Sequence, residues 1–186
     1  MGDKVYNVLF LCPHDTARGV MAEAILNRIG RGRFAAFSAG SFPLDELHGE
    51  TMRMLEKLGY NISALHSKAW DEFAASEAPE MDFIFTISDG TKEKLCPVWP
   101  GQPMTAYWNV PAPVAIDEGG VEAGLRLAEI YRELHNRIKL LVNLRVDALG
   151  RPALQHEMNT IGAPSITSLG GLLPSRRPAA PAYRAG

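Results

Sequence analysis

The chain has 186 residues, of which 46% are hydrophobic, and its formal net charge at pH 7 is −2. This length and apolar content suffice for one compact domain with a core of ordinary size. The small charge and the lack of a dominant basic run argue against nucleic acid and membrane surfaces as partners. No segment approaches the ~20 apolar residues of a membrane-spanning helix, and the N-terminus lacks a secretory signal pattern.

The predicted elements alternate between strand and helix. In chain order they are a strand at 5–11, a helix at 17–29, strands at 33–38 and 81–87 with a helix at 47–58 between them, a short strand at 104–108, and helices at 121–144 and 148–162. Such alternation predicts parallel βαβ units in an open, doubly wound α/β sheet of three layers. Ligands of these sheets bind beyond the carboxyl ends of the strands.

The composition changes after residue 162. Residues 163–186 are rich in Pro, Ala, Ser, Gly and Arg, and such a segment cannot bury enough apolar surface to offset the entropy of ordering. We therefore predict a folded domain at 1–162 followed by a flexible tail at 163–186. A docking role for the arginines of the tail is the alternative interpretation.

Only two cysteines are present, Cys12 and Cys96, too few for the disulfide framework of a small secreted domain. We therefore expect a reducing, cytoplasmic location. The histidines are not spaced as a metal site, and nothing in the sequence indicates a cofactor.

A Cys-x5-Arg motif is the most informative feature of the chain. The first predicted strand ends at Cys12, and Arg18 follows six positions later, where the first predicted helix begins. Five intervening residues suffice to wrap backbone N–H groups around an oxyanion in front of a helix N-terminus. That environment lowers the pKa of the Cys12 thiol, and the guanidinium of Arg18 can bind two oxygens as a planar fork.

We therefore predict that Cys12 and Arg18 are catalytic. The predicted oxyanion-binding residues are those of the loop between them, together with the arginine: Pro13, His14, Asp15, Thr16, Ala17 and Arg18. The alternative for Cys12 is a small buried apolar residue at the end of a strand. In the helix that follows, the apolar residues fall on one face, and Glu23 is expected on the opposite, polar face.

Several segments carry a family resemblance. Residues 9–18, then Met21-Ala22-Glu23-Ala24 and Ser38-Ala39-Gly40, resemble the low-molecular-weight protein tyrosine phosphatase superfamily. Residues 67–73 and 96–108 are similar to segments of its arsenate reductase-like branch, of the thioredoxin-coupled type. The resemblance extends over residues 4–162 and implies a sheet of four parallel strands with helices on both faces.

The resemblance also implies a mechanism. The Cys12 thiolate attacks phosphorus or arsenic and forms a covalent intermediate. A phosphatase hydrolyses this intermediate with water. An arsenate reductase resolves it with a second thiol, releasing arsenite and leaving a disulfide. The implied partners are an arsenate or phosphate-type oxyanion and, for a reductase, a small thiol, glutaredoxin or thioredoxin.

The chain departs from the family pattern at the general acid. The family has an aspartate before a proline shortly after the segment that contains Trp108, and Ala112 takes that position here, before Pro113. Alanine carries no proton, and general acid catalysis is worth about 10²–10⁴-fold in rate. Asp117, a few residues further on, is the alternative donor if the loop moves.

A second departure concerns the resolving cysteine, which the family has just after the third strand. Ser88 occupies that position, and serine forms no disulfide. Cys96 matches a later cysteine of the relay and is the candidate redox residue. A direct disulfide with Cys12 requires Cα atoms within about 7 Å. The alternative for Cys96 is a structural cysteine.

Two further departures lie in the loop itself. Gly19 replaces the serine or threonine whose hydroxyl donates to the cysteine sulfur in the family, which weakens the expected stabilisation of the thiolate. Asp15 replaces an asparagine, and its carboxylate repels an anion unless it points outward or is paired. His14 either pairs with Asp15 or faces solvent.

Three hypotheses for the function follow. The first is an arsenate reductase-like enzyme in which Cys12 is the nucleophile, with Ala112 and Ser88 weakening the chemistry. The second is a low-molecular-weight protein tyrosine phosphatase, which needs no second thiol. The third is a non-catalytic oxyanion-binding or regulatory member of the family. The sequence leaves open whether the chain is an active enzyme.

Overall fold

The computed structural model describes residues 4–14, 17–89, 99–112 and 120–163. Four strands and five helices occur in these ranges. They are β1 (Tyr6–Cys12), α1 (Arg18–Ile29), β2 (Phe34–Gly40), α2 (Gly49–Lys57), α3 (Asp71–Ala74), β3 (Phe83–Ser88), β4 (Met104–Asn109), α4 (Val121–Asn143) and α5 (Arg151–Gly162). All eight predicted elements are present, with boundaries that differ by at most three residues.

The four strands form one parallel sheet in the order β2-β1-β3-β4, which confirms the predicted α/β fold. The chain leaves β1 toward one side, to β2, and later returns to its other side as β3. The topological switch point therefore lies at the carboxyl end of β1, the place where ligands of doubly wound sheets bind. Cys12 is the last residue of β1 and pairs with Gly40, the last residue of β2.

Two apolar layers cover the sheet, because alternate residues of each strand face opposite sides. Val8 and Phe10 belong to the larger core, to which α1, α4 and α5 also contribute. Leu9 and Leu11 belong to a smaller core on the other face, with Phe73 of α3. Helices therefore lie on both faces, as predicted. The sequence did not predict α3, because four residues are too few for a helical period.

The prediction that Glu23 lies on a polar face of α1 is wrong. Every residue of α1 from Arg18 to Leu26 is buried, Glu23 included. The reason is the position of the helix, which packs against β1 and β2 on one side and against α4 on another. A helix enclosed in this way has no solvated face, so its one carboxylate needs partners inside the protein.

Helix termini follow local chemistry. His48 is the N-cap of α2, and its Nδ1 accepts a hydrogen bond from the Thr51 N–H at 3.3 Å. The last helix begins at Arg151, later than predicted, because Gly150 is extended and Pro152 suits only the first turn.

Residues 164–186, which carry most of the predicted tail, lie outside the described residues. None of the helices in the described ranges combines the length and apolar character needed to cross a bilayer.

Candidate active site

The first residues of the Cys-x5-Arg loop are held by the chain that leaves β2. Cys12 is 5% exposed, and its carbonyl accepts the N–H of Ser41 at 3.1 Å. The next carbonyl, that of Pro13, accepts the N–H of Phe42 at 2.8 Å. The loop therefore begins as an extension of the sheet, which fixes the position of the sulfur-bearing residue.

His14 faces solvent, as one of the two alternatives for it predicted. Its ring is exposed, yet its Nδ1 donates to the Phe42 carbonyl at 3.1 Å. This bond ties the loop to the segment after β2 a third time. Asp15 and Thr16 lie outside the described residues, so a pairing of His14 with Asp15 and the contribution of Thr16 to the cradle stay predictions.

Arg18 is the first residue of α1 and is 8% exposed. Its Nη1 donates to the carbonyl of Val110 at 2.7 Å. The Nε–Nη2 edge of the guanidinium is the planar fork that two oxygens of an anion can occupy. The N-cap residue, Ala17, has no side-chain group to bond the first N–H groups of α1, which suits them to an anion.

The segment that contains Ala112 begins next to Arg18. Val110 follows β4 directly and is fully buried, and Ala112 lies two residues beyond it, partly buried. The bond from Arg18 to the Val110 carbonyl thus joins the Cys-x5-Arg loop to the segment in which the resemblance implies a general acid. Pro113 and Asp117 lie outside the described residues.

Ser88 ends β3 and is buried. Its hydroxyl shares a hydrogen bond with the phenol of Tyr107 on β4, and its carbonyl accepts the N–H of Val110 at 2.9 Å. At the position where the resemblance implies a thiol, this chain has a hydroxyl that is bonded within the sheet. Cys96 lies outside the described residues, so its distance from Cys12 stays open.

The sequence did not predict a buried polar network behind the loop. The Oε2 of Glu23 accepts a hydrogen bond from Ser38 Oγ at 2.6 Å and from Lys68 Nζ at 3.1 Å. Lys68 is 6% exposed and also donates to the His66 carbonyl at 2.7 Å. Its own carbonyl accepts the N–H of Gly40, the strand partner of Cys12. The network therefore supports the sheet directly beside Cys12.

A detectable signal for this network existed in the sequence. Glu23 lies inside a nearly continuous apolar stretch, and Lys68 lies in a family-like segment. Buried charges are costly unless they are paired, so a buried Glu23 implies a basic partner and a buried Lys68 an acidic one. The two residues are 45 positions apart, so the sequence did not show that they pair with each other.

The family model for low molecular weight phosphotyrosine protein phosphatases matches residues 7–151. The chain belongs to this family. The matched span runs from β1 to the start of α5 and includes both Cys12 and Arg18, so the low molecular weight phosphatase fold accounts for nearly all of the described structure.

Arsenate reductases are among the relatives of this family member. A glutaredoxin arsenate reductase of Synechocystis sp. is 27% identical over 106 residues, which is 57% of this chain and 77% of the relative. The crystal structure of an arsenate reductase from Archaeoglobus fulgidus is 27% identical, covers 71% of this chain and 98% of its own, and has a TM-score of 0.54. A low molecular weight protein tyrosine phosphatase from T. tengcongensis shares the fold, at 24% identity and a TM-score of 0.57, covering 74% of this chain and 97% of its own.

We expect Cys12 to react as a thiolate and to be protected by anions. Its rate of alkylation by iodoacetamide, resolved by peptide mass spectrometry, should reach half its maximum at a lower pH in the folded protein than in the urea-unfolded chain. Sulfate should slow the reaction. Arg18→Lys is the matched control, because lysine keeps the charge but loses the fork, so protection should weaken. Identical titrations in the folded and unfolded chain, with no protection by sulfate, would contradict this.

Proposed function

We propose that this chain is an arsenate reductase-like enzyme that uses Cys12 as nucleophile and depends on an external thiol. The observation that carries the proposal is the place of Cys12 and Arg18. The cysteine is at the carboxyl end of the central strand β1, and the arginine is at the start of the helix that follows. Family membership and the arsenate reductase relatives support the same chemistry.

In the proposed reaction the Cys12 thiolate attacks arsenate, and a protonated oxygen leaves arsenic as water. The sulfur–arsenic bond holds the intermediate while Arg18 and the loop N–H groups bind its oxygens. An external thiolate then attacks the sulfur of Cys12, and the bonding electron pair passes to arsenic, which is reduced from As(V) to As(III). Arsenite leaves, and a second thiol reduces the mixed disulfide on Cys12.

The external thiol follows from the residue at position 88. The hydroxyl of Ser88 cannot take the place of a resolving thiol, and it already bonds Tyr107. A small thiol such as glutathione, used with a glutaredoxin, supplies both equivalents without a second cysteine in the sheet. The name of the Synechocystis relative, a glutaredoxin arsenate reductase, supports this choice of partner.

An arsenate assay with separated thiol systems tests the proposal. With glutathione and glutaredoxin, purified protein should release arsenite, whereas thioredoxin alone should sustain no turnover. Ser88→Cys should confer thioredoxin-linked turnover, and Ser88→Ala is the matched control because it removes the hydroxyl without adding a thiol. Turnover of the unaltered protein on thioredoxin alone, with a Cys12–Cys96 disulfide in high yield, would instead make Cys96 the resolving residue.

One observation favours a phosphatase as the second candidate. The ring of Phe42 is 56% exposed, and both backbone polar groups of this residue are bonded to the first residues of the loop. An exposed aromatic ring fixed there suits the apolar part of an aryl phosphate. Hydrolysis of an aryl phosphate without arsenite release would support this candidate, and anion protection without either activity would indicate the non-catalytic role.

A further inference from the structure

A second buried arginine lies near the site and has no part in the chemistry above. Arg137 of α4 is 4% exposed. Its Nη1 donates to the carbonyl of Gly162 at 3.0 Å, and its Nη2 donates to the carbonyl of Asn109 at 3.0 Å. Nε donates to Oε1 of Glu133, one turn earlier on the helix, at 2.9 Å. A buried guanidinium bonded on three sides has one orientation.

The acceptors of Arg137 belong to two different elements that meet beside it. Asn109 is the last residue of β4, and Gly162 is the last residue of α5. The approach is so close that a Cβ atom at position 162 would overlap the carbonyl oxygen of Tyr107. Arg137 therefore fixes the end of β4 against two helices.

The carbonyl next to that of Asn109 is the one that Arg18 binds. The N–H of Val110 donates to Ser88 of β3, and its carbonyl accepts Arg18 Nη1. The preceding carbonyl, that of Asn109, accepts Arg137 Nη2. Two buried guanidinium groups thus hold two consecutive carbonyls at the end of β4.

We propose that Arg137 is a positioning residue for Arg18. By fixing the Asn109 carbonyl it fixes the next peptide group, so the Val110 carbonyl stays where it anchors Nη1 and aims the Nε–Nη2 edge at the oxyanion. The inference rests on the proposed function only in taking Arg18 as the residue that receives the anion. Its effect is on anion affinity and leaves the intrinsic reactivity of the thiol unchanged.

The experiment measures sulfate protection of Cys12 against alkylation in Arg137→Ala. The sulfate concentration that gives half-protection should rise about 10- to 100-fold, within the range that a small misplacement of a binding group costs. The alkylation rate without sulfate should not change. Millimolar guanidinium, far below denaturing concentrations, should fill the vacated space and restore protection, whereas urea at the same concentration should not.

Glu133→Gln is the matched control, because it removes the carboxylate and leaves the bonds from Arg137 to the carbonyls; protection should stay as in the unaltered protein. If Arg137→Ala does not fold, Arg137→Lys replaces it, with a smaller loss expected. Unchanged protection in a folded variant overturns the inference. The inference is also overturned if the alkylation rate of Cys12 falls together with sulfate protection and guanidinium restores neither. That result would indicate that Arg137→Ala disrupts the whole site.

A second readout separates this inference from the proposed function. The NMR signal of the Arg18 Nε–H group, assigned by its loss in Arg18→Lys, should shift in Arg137→Ala and return with guanidinium. If sulfate fails to protect the unaltered protein, the proposed function falls, and the Arg18 signal still decides the role of Arg137. A signal that does not respond to Arg137→Ala overturns the inference.

Discussion

Ala112→Asp should raise the hydrolysis of phenolic phosphate esters by about 10–10³-fold, close to the range that a general acid supplies. The segment that carries Ala112 starts at Val110, whose carbonyl is bonded to Arg18, so we expect a carboxyl group at position 112 to reach the proposed covalent intermediate. An ester with a good leaving group, which departs without a proton, should gain much less. Arsenate reduction should rise as well, because its leaving oxygen needs a proton.

The control for this variant is Asn109→Asp, which adds the same charge at an exposed position at the end of β4. It should leave the ratio of the two ester rates unchanged. Steady-state rates for a poor and a good leaving group, measured side by side, provide the test. Equal gains for both esters, or no gain for either, would mean that position 112 does not address the leaving group or that another acid already serves.

Lys68→Met should lower the free energy of unfolding by about 3–5 kcal/mol, the usual cost of removing one partner from a buried ion pair. The reason is the carboxylate of Glu23, which is 8% exposed and, among the described residues, would keep only its hydrogen bond from Ser38. Adding Glu23→Gln to this variant should recover part of the loss, since the remaining side chain is neutral. Urea unfolding measured on the two single variants and the double variant gives the coupling energy.

The matched control is Arg126→Met, which breaks an exposed pair with Glu122 on α4. Solvent-exposed pairs contribute about 0–1 kcal/mol, so this variant should unfold close to the unaltered protein. Small and similar losses for Lys68→Met and Arg126→Met would show that water screens the buried pair. Loss of anion protection in Lys68→Met at temperatures where it is folded would add that the network also holds the loop.

The fold and the position of Cys12 at the end of β1 were predictable because their signals are local. The apolar run of β1, the cysteine that ends it and the arginine that opens α1 lie within thirteen consecutive positions, 6–18. Local patterns also set most element boundaries. The four-residue helix α3 left no such pattern, and its place beneath the sheet depends on Phe73 packing into the smaller core.

The contacts of the supporting residues were not predictable, because their partners are remote in sequence. Glu23 was assigned to a polar face since a charge in an amphipathic pattern usually faces water, and its partner Lys68 lies on a different part of the chain. The role of Arg137 was still harder to predict, since its partners among the described residues are backbone carbonyls and Glu133. Every residue has a backbone carbonyl, so the type of residue does not mark the acceptor. Only the structure identifies such a contact.

The burial of α1 determines whether Cys12 or the external thiol has to move for the two sulfur atoms to meet. Cys12 is 5% exposed, and a helix buried from Arg18 to Leu26 cannot tilt to carry the neighbouring cysteine outward. In the proposed reaction the attacking thiol therefore has to come to the sulfur. A small thiol such as glutathione meets this requirement, whereas a protein donor has to present its cysteine on a protruding segment.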